Sequence, residues 1–213
     1  MRDRSTGRTD WDAYYSAPVP TSRLTRPYTQ RCLLRLMRQY APHPAPTICE
    51  LGGANSCFYD ALRLSYPESD FIAIDNNILG LRLLEQRASD QRRTRTLNYD
   101  LTSMPAGIVE ADIVFSVGLF EHFAAEQTAH VIGRHFSCVK SGGLVVITFP
   151  TPTFLYRIAR TLAESAGLWR FPDERPLPWA EVLAEVARHG MVLTTFTNWP
   201  LVLTQGVVVA RAW

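Results

Sequence analysis

The sequence predicts an α/β fold: a doubly wound, seven-stranded sheet, mostly parallel, with an antiparallel C-terminal hairpin. Three observations predict it. Short apolar runs alternate with helix-like stretches between residues 47 and 149. Most of these runs are β-branched or aromatic-rich and lack polar alternation, as strands buried on both faces do. Two further strand-like runs near the C-terminus are too close together to be joined by a helical crossover.

The elements follow in order. Residues 1–20 are charged and then interrupted by Pro18 and Pro20. An amphipathic helix follows over about 22–40, with Leu24, Leu33, Leu34, Leu36, Met37 and Tyr40 as inward positions, and Pro42, Pro44 and Pro46 stop it. Strands are predicted at Thr47–Leu51, Phe71–Ile74, Thr96–Tyr99, Asp112–Ser116 and Leu144–Phe149, with helices over about 56–66, 78–91 and 121–138. Such alternation implies right-handed crossovers between parallel strands. Residues 151–190 hold helical segments and a Pro-rich stretch, Phe171–Pro178. The last two runs, Met191–Thr197 and Thr204–Arg211, flank the turn signal Asn198-Trp199-Pro200. The expected organisation is an N-terminal lid and helix over 1–45 and a main domain over 46–213 that carries 151–190 as a substrate-side insert.

Composition narrows the function. The 213 residues are 46% hydrophobic and 20% charged, enough for one full-sized core. The longest near-apolar run, Gly143–Phe149, is far short of the ~20 residues a spanning helix needs, so no transmembrane segment is expected. The N-terminus has charges but no apolar stretch of the signal-peptide kind. Cys32, Cys49, Cys57 and Cys138 form no CxxC pair and read as reduced thiols, which points to a cytoplasmic protein. The basic set is 21 arginines and the single Lys140, a bias that suggests a bacterial, GC-rich genome and excludes chemistry needing two lysines. No metal site is expected: His130, His135 and Cys138 share a helix without a second ligand cluster.

The chemistry-bearing pattern lies at the strand ends. The first strand runs into Glu50-Leu51-Gly52-Gly53-Ala54-Asn55-Ser56, a glycine pair that lets backbone approach a ligand above a helix N-terminus. The G-x-G-x-x-G of dinucleotide sites and the G-x-x-x-x-G-K-S/T of phosphate loops both fail here. An acidic residue followed by small residues suits a phosphate-free cofactor, a sulfonium amino acid joined to adenosine. Glu50 is placed to accept from the ammonium, Asp75 from both ribose hydroxyls with Asn76 beside it, and Asp100 from the adenine amino group.

On these residues the chain resembles the class I S-adenosylmethionine-dependent methyltransferases of the small-molecule type, which share a Rossmann-like sheet with a terminal antiparallel hairpin. The match runs from about Cys49 to Phe149, plus the hairpin. The resemblance implies S-adenosyl-L-methionine as cofactor, with Glu50, Gly52 and Gly53 against its methionine moiety. It implies Asp75 on the ribose, Asp100 with Leu101 beside adenine, and Ser116-Val117-Gly118 beneath the cofactor. Ala54 and Ser56 depart from the usual Gly-x-Gly, although both are small.

Methyl transfer needs a base only when the nucleophile carries a proton. Glu121-His122-Phe123 follows the fourth strand, and His122 is the candidate base; the alternative is a structural imidazole packed under the cofactor, with Glu121 serving a helix N-terminus. The expected acceptor is a small or medium-sized, partly apolar molecule. Trp11, Tyr14 and Tyr15 would form a lid over it. The insert would add an aromatic wall from Phe154, Tyr156, Trp169, Phe171 and Trp179, with Arg157 and its neighbouring arginines among them. Two alternatives stand beside this reading: an RNA methyltransferase using the arginine stripe from Arg82 to Arg95, and a cofactor-binding protein without catalysis. Nucleic acid is the less favoured partner, since Glu85 and Asp90 interrupt that stripe. The sequence says nothing of oligomeric state.

Overall fold

The computed structural model describes residues 7–16, 22–198 and 204–213. The first six residues, Pro18, Pro20 and the Trp199-Pro200 part of the expected turn lie outside the described residues, as does the Leu24 side chain. Two helices, α1 (Trp11–Ser16) and α2 (Ser22–Tyr40), precede β1 (Ile48–Leu51). Then come α3 (Tyr59–Ser65), β2 (Phe71–Asp75), α4 (Ile78–Arg87), β3 (Thr94–Asn98) and β4 (Ala111–Val117). A 3₁₀ turn at Phe120–His122 leads to α5 (Ala125–Ser137) and β5 (Val139–Pro150). The chain ends with α6 (Phe154–Ser165), α7 (Trp179–His189), β6 (Gly190–Asn198) and β7 (Gln205–Ala212).

The seven strands form one sheet in the order β3-β2-β1-β4-β5-β7-β6. The pairs from β3 to β5 are parallel, and β7 runs antiparallel to both β5 and β6. The expected architecture is therefore present, with the final strand inserted between β5 and β6. Strand alternation splits the core in two. Ile48, Phe71, Ala73, Ile113, Phe115, Leu144, Val146, Val207 and Val209 face α2, α3 and α4, meeting Leu33, Met37, Leu62 and Leu84. Their neighbours Cys49, Ile72, Ile74, Val114, Val145, Ile147, Val208 and Ala210 face α5 and α7, meeting Val131, Ile132, Val182 and Val186. Central strands buried on both faces must be apolar at every position, hence the unbroken apolar runs. At the edges, β3 and β6 are only partly buried, and side chains such as Arg95 and Asn98 face water.

Several boundaries differ from expectation for local reasons. The helix predicted over 78–91 stops at Arg87, because Asp90 Oδ1 accepts from the backbone N–H groups of Arg92 and Arg93 and turns the chain. At its start, Asn77 Oδ1 accepts from Gly80 N at 2.6 Å, an N-cap. The helix predicted over 121–138 is divided: His122 lies in the 3₁₀ turn, and α5 begins only at Ala125. The helix predicted over 56–66 starts at Tyr59, after Ser56 Oγ has accepted from Phe58 N. Strand β5 begins five residues early, at Val139, which pairs with Ala111 across a bulge.

Phe115 is fully buried on the central strand and packs edge-on against Phe58. Phe115→Ala should therefore cost about 3–5 kcal/mol in a denaturant melt, through lost transfer energy and a residual cavity.

Candidate active site

Strand order reverses between β1 and β4, so the crossovers leave the sheet in opposite directions there and open a crevice above the strand ends. A cleft of about 1110 Å³ occupies that place. Glu50, the third residue of β1, enters it with its side chain buried, and its Oε2 has no hydrogen-bond partner among the described residues. Burial pushes this carboxyl up to about 8, against the lowering contributed by the Ser56 hydroxyl. Gly52 follows with φ +73°, and a Cβ there would stand 2.7 Å from Leu119 Cδ1, so both conformation and space demand glycine. Gly53 lies behind the cleft: a Cβ there would meet the Glu50 Cβ at 3.0 Å, and its absence makes room for that carboxylate.

Asp75 closes β2 on the neighbouring edge. Its Oδ1 accepts from Asn77 N at 2.8 Å, and its Oδ2 accepts from Ala54 N at 3.1 Å and from the Tyr15 hydroxyl at 3.5 Å. Burial raises its pKa while these bonds lower it. Arg87 clamps the loop between the two acids. Its Nε donates to Asn55 Oδ1 at 2.9 Å, its Nη1 to Asp60, and its Nη2 to the Ser56 carbonyl. Asn55 accordingly holds a positive φ of 43°.

The structure brings most of the remaining candidates to the same cleft. Asn76, Asp100, Leu101, Val117, Gly118, His122, Trp11, Tyr14, Tyr15 and Tyr156 all line it. Asp100 sits two residues beyond the end of β3, and its Oδ1 accepts from Thr102 N and Thr102 Oγ1, both at 2.8 Å. Ser116 does not line the cleft. On β4 it has the opposite parity to Phe115, so its hydroxyl turns under α5 and bonds His135 Nε2 at 2.8 Å. Arg157 is a second correction: it is exposed and stands outside the cleft, one helical step from the inward Tyr156. The aromatic wall is also smaller than expected, since Phe154 faces water and Trp179 packs against Phe149 in the core.

Over the cleft lies α1, capped where Asp10 Oδ1 accepts from Ala13 N at 2.9 Å. Trp11 meets His122 edge-on at 4.9 Å and Phe171 at 6.2 Å, and Tyr14 meets Phe171 at 5.6 Å. Asn77 Nδ2 donates to Asp12 Oδ1 at 2.6 Å, tying α1 to the start of α4. Three acidic residues complete the site. Asp173 Oδ1 stands 3.3 Å from His122 Nδ1 and also accepts from Thr9 Oγ1. Burial opposes ionisation of Asp173, but the bonds from His122 and Thr9 outweigh it and hold the carboxyl at about 2. Burial likewise pulls the His122 pKa down, and Asp173 and Glu121 raise it above its ordinary value. Glu174 accepts from the Tyr156 hydroxyl, and Glu121 is buried with Oε2 unpartnered among the described residues. Asp173 and Glu174 were invisible to sequence reasoning because they fall in the Pro-rich stretch, where no periodicity assigns a face.

No known family profile matches the chain, and no curated protein matches it in sequence. Solved structures do match in shape. Magnesium protoporphyrin IX methyltransferase from Synechocystis PCC 6803, solved with bound S-adenosylhomocysteine, superposes with a TM-score of 0.72 at 12% identity, over 95% of this chain and 93% of that one. The chain has the class I methyltransferase fold. The N-methyltransferase NodS from Bradyrhizobium japonicum WM9, in complex with the same compound, gives 0.65 at 13% identity over 94% and 92% of the two chains. The S-adenosylmethionine-dependent methyltransferase SibL gives 0.69 at 18% identity, over 96% of this chain and 62% of its own. Likeness at these identities speaks for the fold alone. Within the methyltransferase fold the cleft described here occupies the switch point, where such sheets bind ligands.

The two buried acids make stability depend on pH. Unfolded, Glu50 and Glu121 ionise near 4.5; folded, both are held up to about 8. Between those values the folded chain binds more protons than the unfolded one, so stability falls as pH rises. His122, raised above 6.5, acts in the same direction at higher pH. The melting temperature of the ligand-free protein should drop between about pH 5 and about pH 8, and Glu50→Gln or Glu121→Gln should flatten the slope.

Proposed function

We propose that this chain is an S-adenosylmethionine-dependent methyltransferase acting on a small or medium-sized, partly apolar acceptor. The observation that carries this reading is the pair of buried carboxyls, Glu50 and Asp75, on adjacent strand ends either side of the Gly52 turn. A buried carboxylate oxygen without a partner is costly unless a donor reaches it. The ammonium of the cofactor fits the unpartnered Glu50 oxygen. Asp75 spends part of its acceptor capacity on loop N–H groups and keeps lone pairs for a ribose diol. Asn76, Asp100, Leu101, Val117 and Gly118 line the same cleft.

The sulfonium supplies a methyl carbon already activated for in-line displacement. The chain's contribution is then position and exclusion of water. Trp11, Tyr14 and Phe171 close over the acceptor end, and Tyr156 is fixed by Glu174 beneath them. His122 is proposed as the base, with Asp173 as its positioning residue, because the Nδ1 contact with Asp173 fixes the ring and raises its basicity. The RNA reading loses support from the arginine stripe. Arg87 is spent on Asn55, Asp60 and Ser56, and Arg93 pairs with Glu68, Asp70 and Asp90.

Asp75→Ala removes a charge-assisted acceptor of about 1.5–3 kcal/mol, so calorimetry should show S-adenosylmethionine binding weakened by about tenfold or more. Wild-type affinity in that variant would reject the assignment. For His122→Ala, turnover should fall by about 10²-fold or more while cofactor affinity stays near wild type. Equal losses of both would mean that the imidazole is structural.

A further inference from the structure

The cleft contains a second carboxyl in the same condition as Glu50, next to Gly118, where a Cβ would stand 3.0 Å from Glu121 Oε1. Glu121 is 2% exposed, lines the cleft, and leaves Oε2 without a hydrogen-bond partner among the described residues. Its own backbone carbonyl accepts from Arg175 N at 2.8 Å, which anchors the 3₁₀ turn to the insert. Burial pushes the carboxyl up to about 8; the charge of His122 opposes this, while Glu174 and Asp173 add to it. Three carboxyl groups therefore gather around one imidazole, and the aromatic rings of Trp11 and Phe171 pack against that imidazole at 4.9 and 5.8 Å.

Arg8, Arg26, Arg170 and Arg175 line the cleft, and two of them, Arg26 and Arg175, are committed to neighbours as follows. Arg26 Nη2 donates to the Tyr14 hydroxyl at 2.9 Å. Arg175 gives its Nη groups to Glu181 and Thr128. Its Nε finds no partner among the described residues, which makes an anionic acceptor the competing case. Against it stands the local charge. An anion would enter beside Glu121, Asp173 and Glu174, and each would resist it.

We infer that Glu121 is the specificity-determining carboxylate for the acceptor, and that the group it takes is a protonated primary or secondary amine carried on a flat apolar body. This rests on the reading of the cleft as a methyltransferase site. A buried carboxyl in a cleft that aromatic rings also line is the combination that repays desolvation of an ammonium, through a charge-assisted hydrogen bond and attraction to the rings. A neutral hydroxyl would give the Glu121 Oε2 no charge-assisted partner, whereas Asp173 already has His122 and Glu174 has the Tyr156 hydroxyl. Before attack the amine gives one proton to His122, on the nitrogen that does not face Asp173. The amine lone pair then forms the N–C bond as the C–S bond of the cofactor breaks, and sulfur retains that bond's electron pair. The product is the methylated ammonium.

The test uses the full chain saturated with S-adenosylhomocysteine and three matched probes, 2-phenylethylamine, 2-phenylethanol and 3-phenylpropanoate, titrated by calorimetry. The amine should bind at least about tenfold more tightly than the alcohol. Glu121→Gln, titrated at a concentration of S-adenosylhomocysteine that saturates the variant, should abolish that preference without changing the order of the other two probes. Undetectable amine binding, equal or tighter binding of the alcohol, or full amine preference in Glu121→Gln overturns the inference. Tighter binding of the carboxylate also overturns it and assigns the subsite to the arginines that line the cleft. Should Glu121→Gln fail to fold, the wild-type ranking of the three probes decides alone. Loss of S-adenosylhomocysteine binding in the opening titration sinks the cofactor reading itself, an outcome distinct from the probe results.

Discussion

A carboxylate buried at the end of a parallel strand organises this molecule. Glu50 is held in the low-dielectric centre of the sheet, between β2 and β4, with one oxygen unmatched among the described residues. Such a group is tolerated only where the surrounding structure over-determines it. Gly53 yields the space it occupies, Ser56 and the Arg87 clamp hold the loop beside it, and the reversal of strand order opens the crevice it faces. The stability forgone here is recovered across two apolar layers, one on each face of the sheet.

The site is assembled from segments far apart in the chain. Thr9 and Trp11 come from the N-terminal segment, His122 from the 3₁₀ turn after β4, and Phe171 and Asp173 from the insert. Asp173 joins all three, since it contacts both His122 and Thr9. The orientation of the imidazole and the closure of α1 over the cleft therefore share one carboxylate. A change in the insert at Asp173 therefore reaches both the N-terminal segment and the imidazole ring.

Position in the sheet explains which site residues were legible. Glu50 and Asp75 stand at the ends of apolar runs, where a charged residue is conspicuous because everything before it is buried. Ser116 was misread although strand parity carried the answer: Phe115 faces the α2–α4 side, so Ser116 must face α5. Arg157 failed for the corresponding helical reason, being about 100° from the buried Tyr156. Phe154 failed similarly, since α6 leaves Phe154, Leu155, Ile158 and Leu162 exposed to water.

The amino-acid order alone determined the alternation of strands and helices, the terminal hairpin and the acidic strand ends, because burial on two faces imposes an apolar pattern that local sequence must display. Tertiary structure decided what no local pattern encodes. It placed β7 between β5 and β6, set Asp173 against His122, and left the Glu121 Oε2 buried near Glu174 with no hydrogen-bond partner among the described residues. Those outcomes depend on the distance between side chains that are 50 or more residues apart, as with the 51 between His122 and Asp173. Such distances are set by packing of the whole sheet and its insert, not by the propensities of either segment.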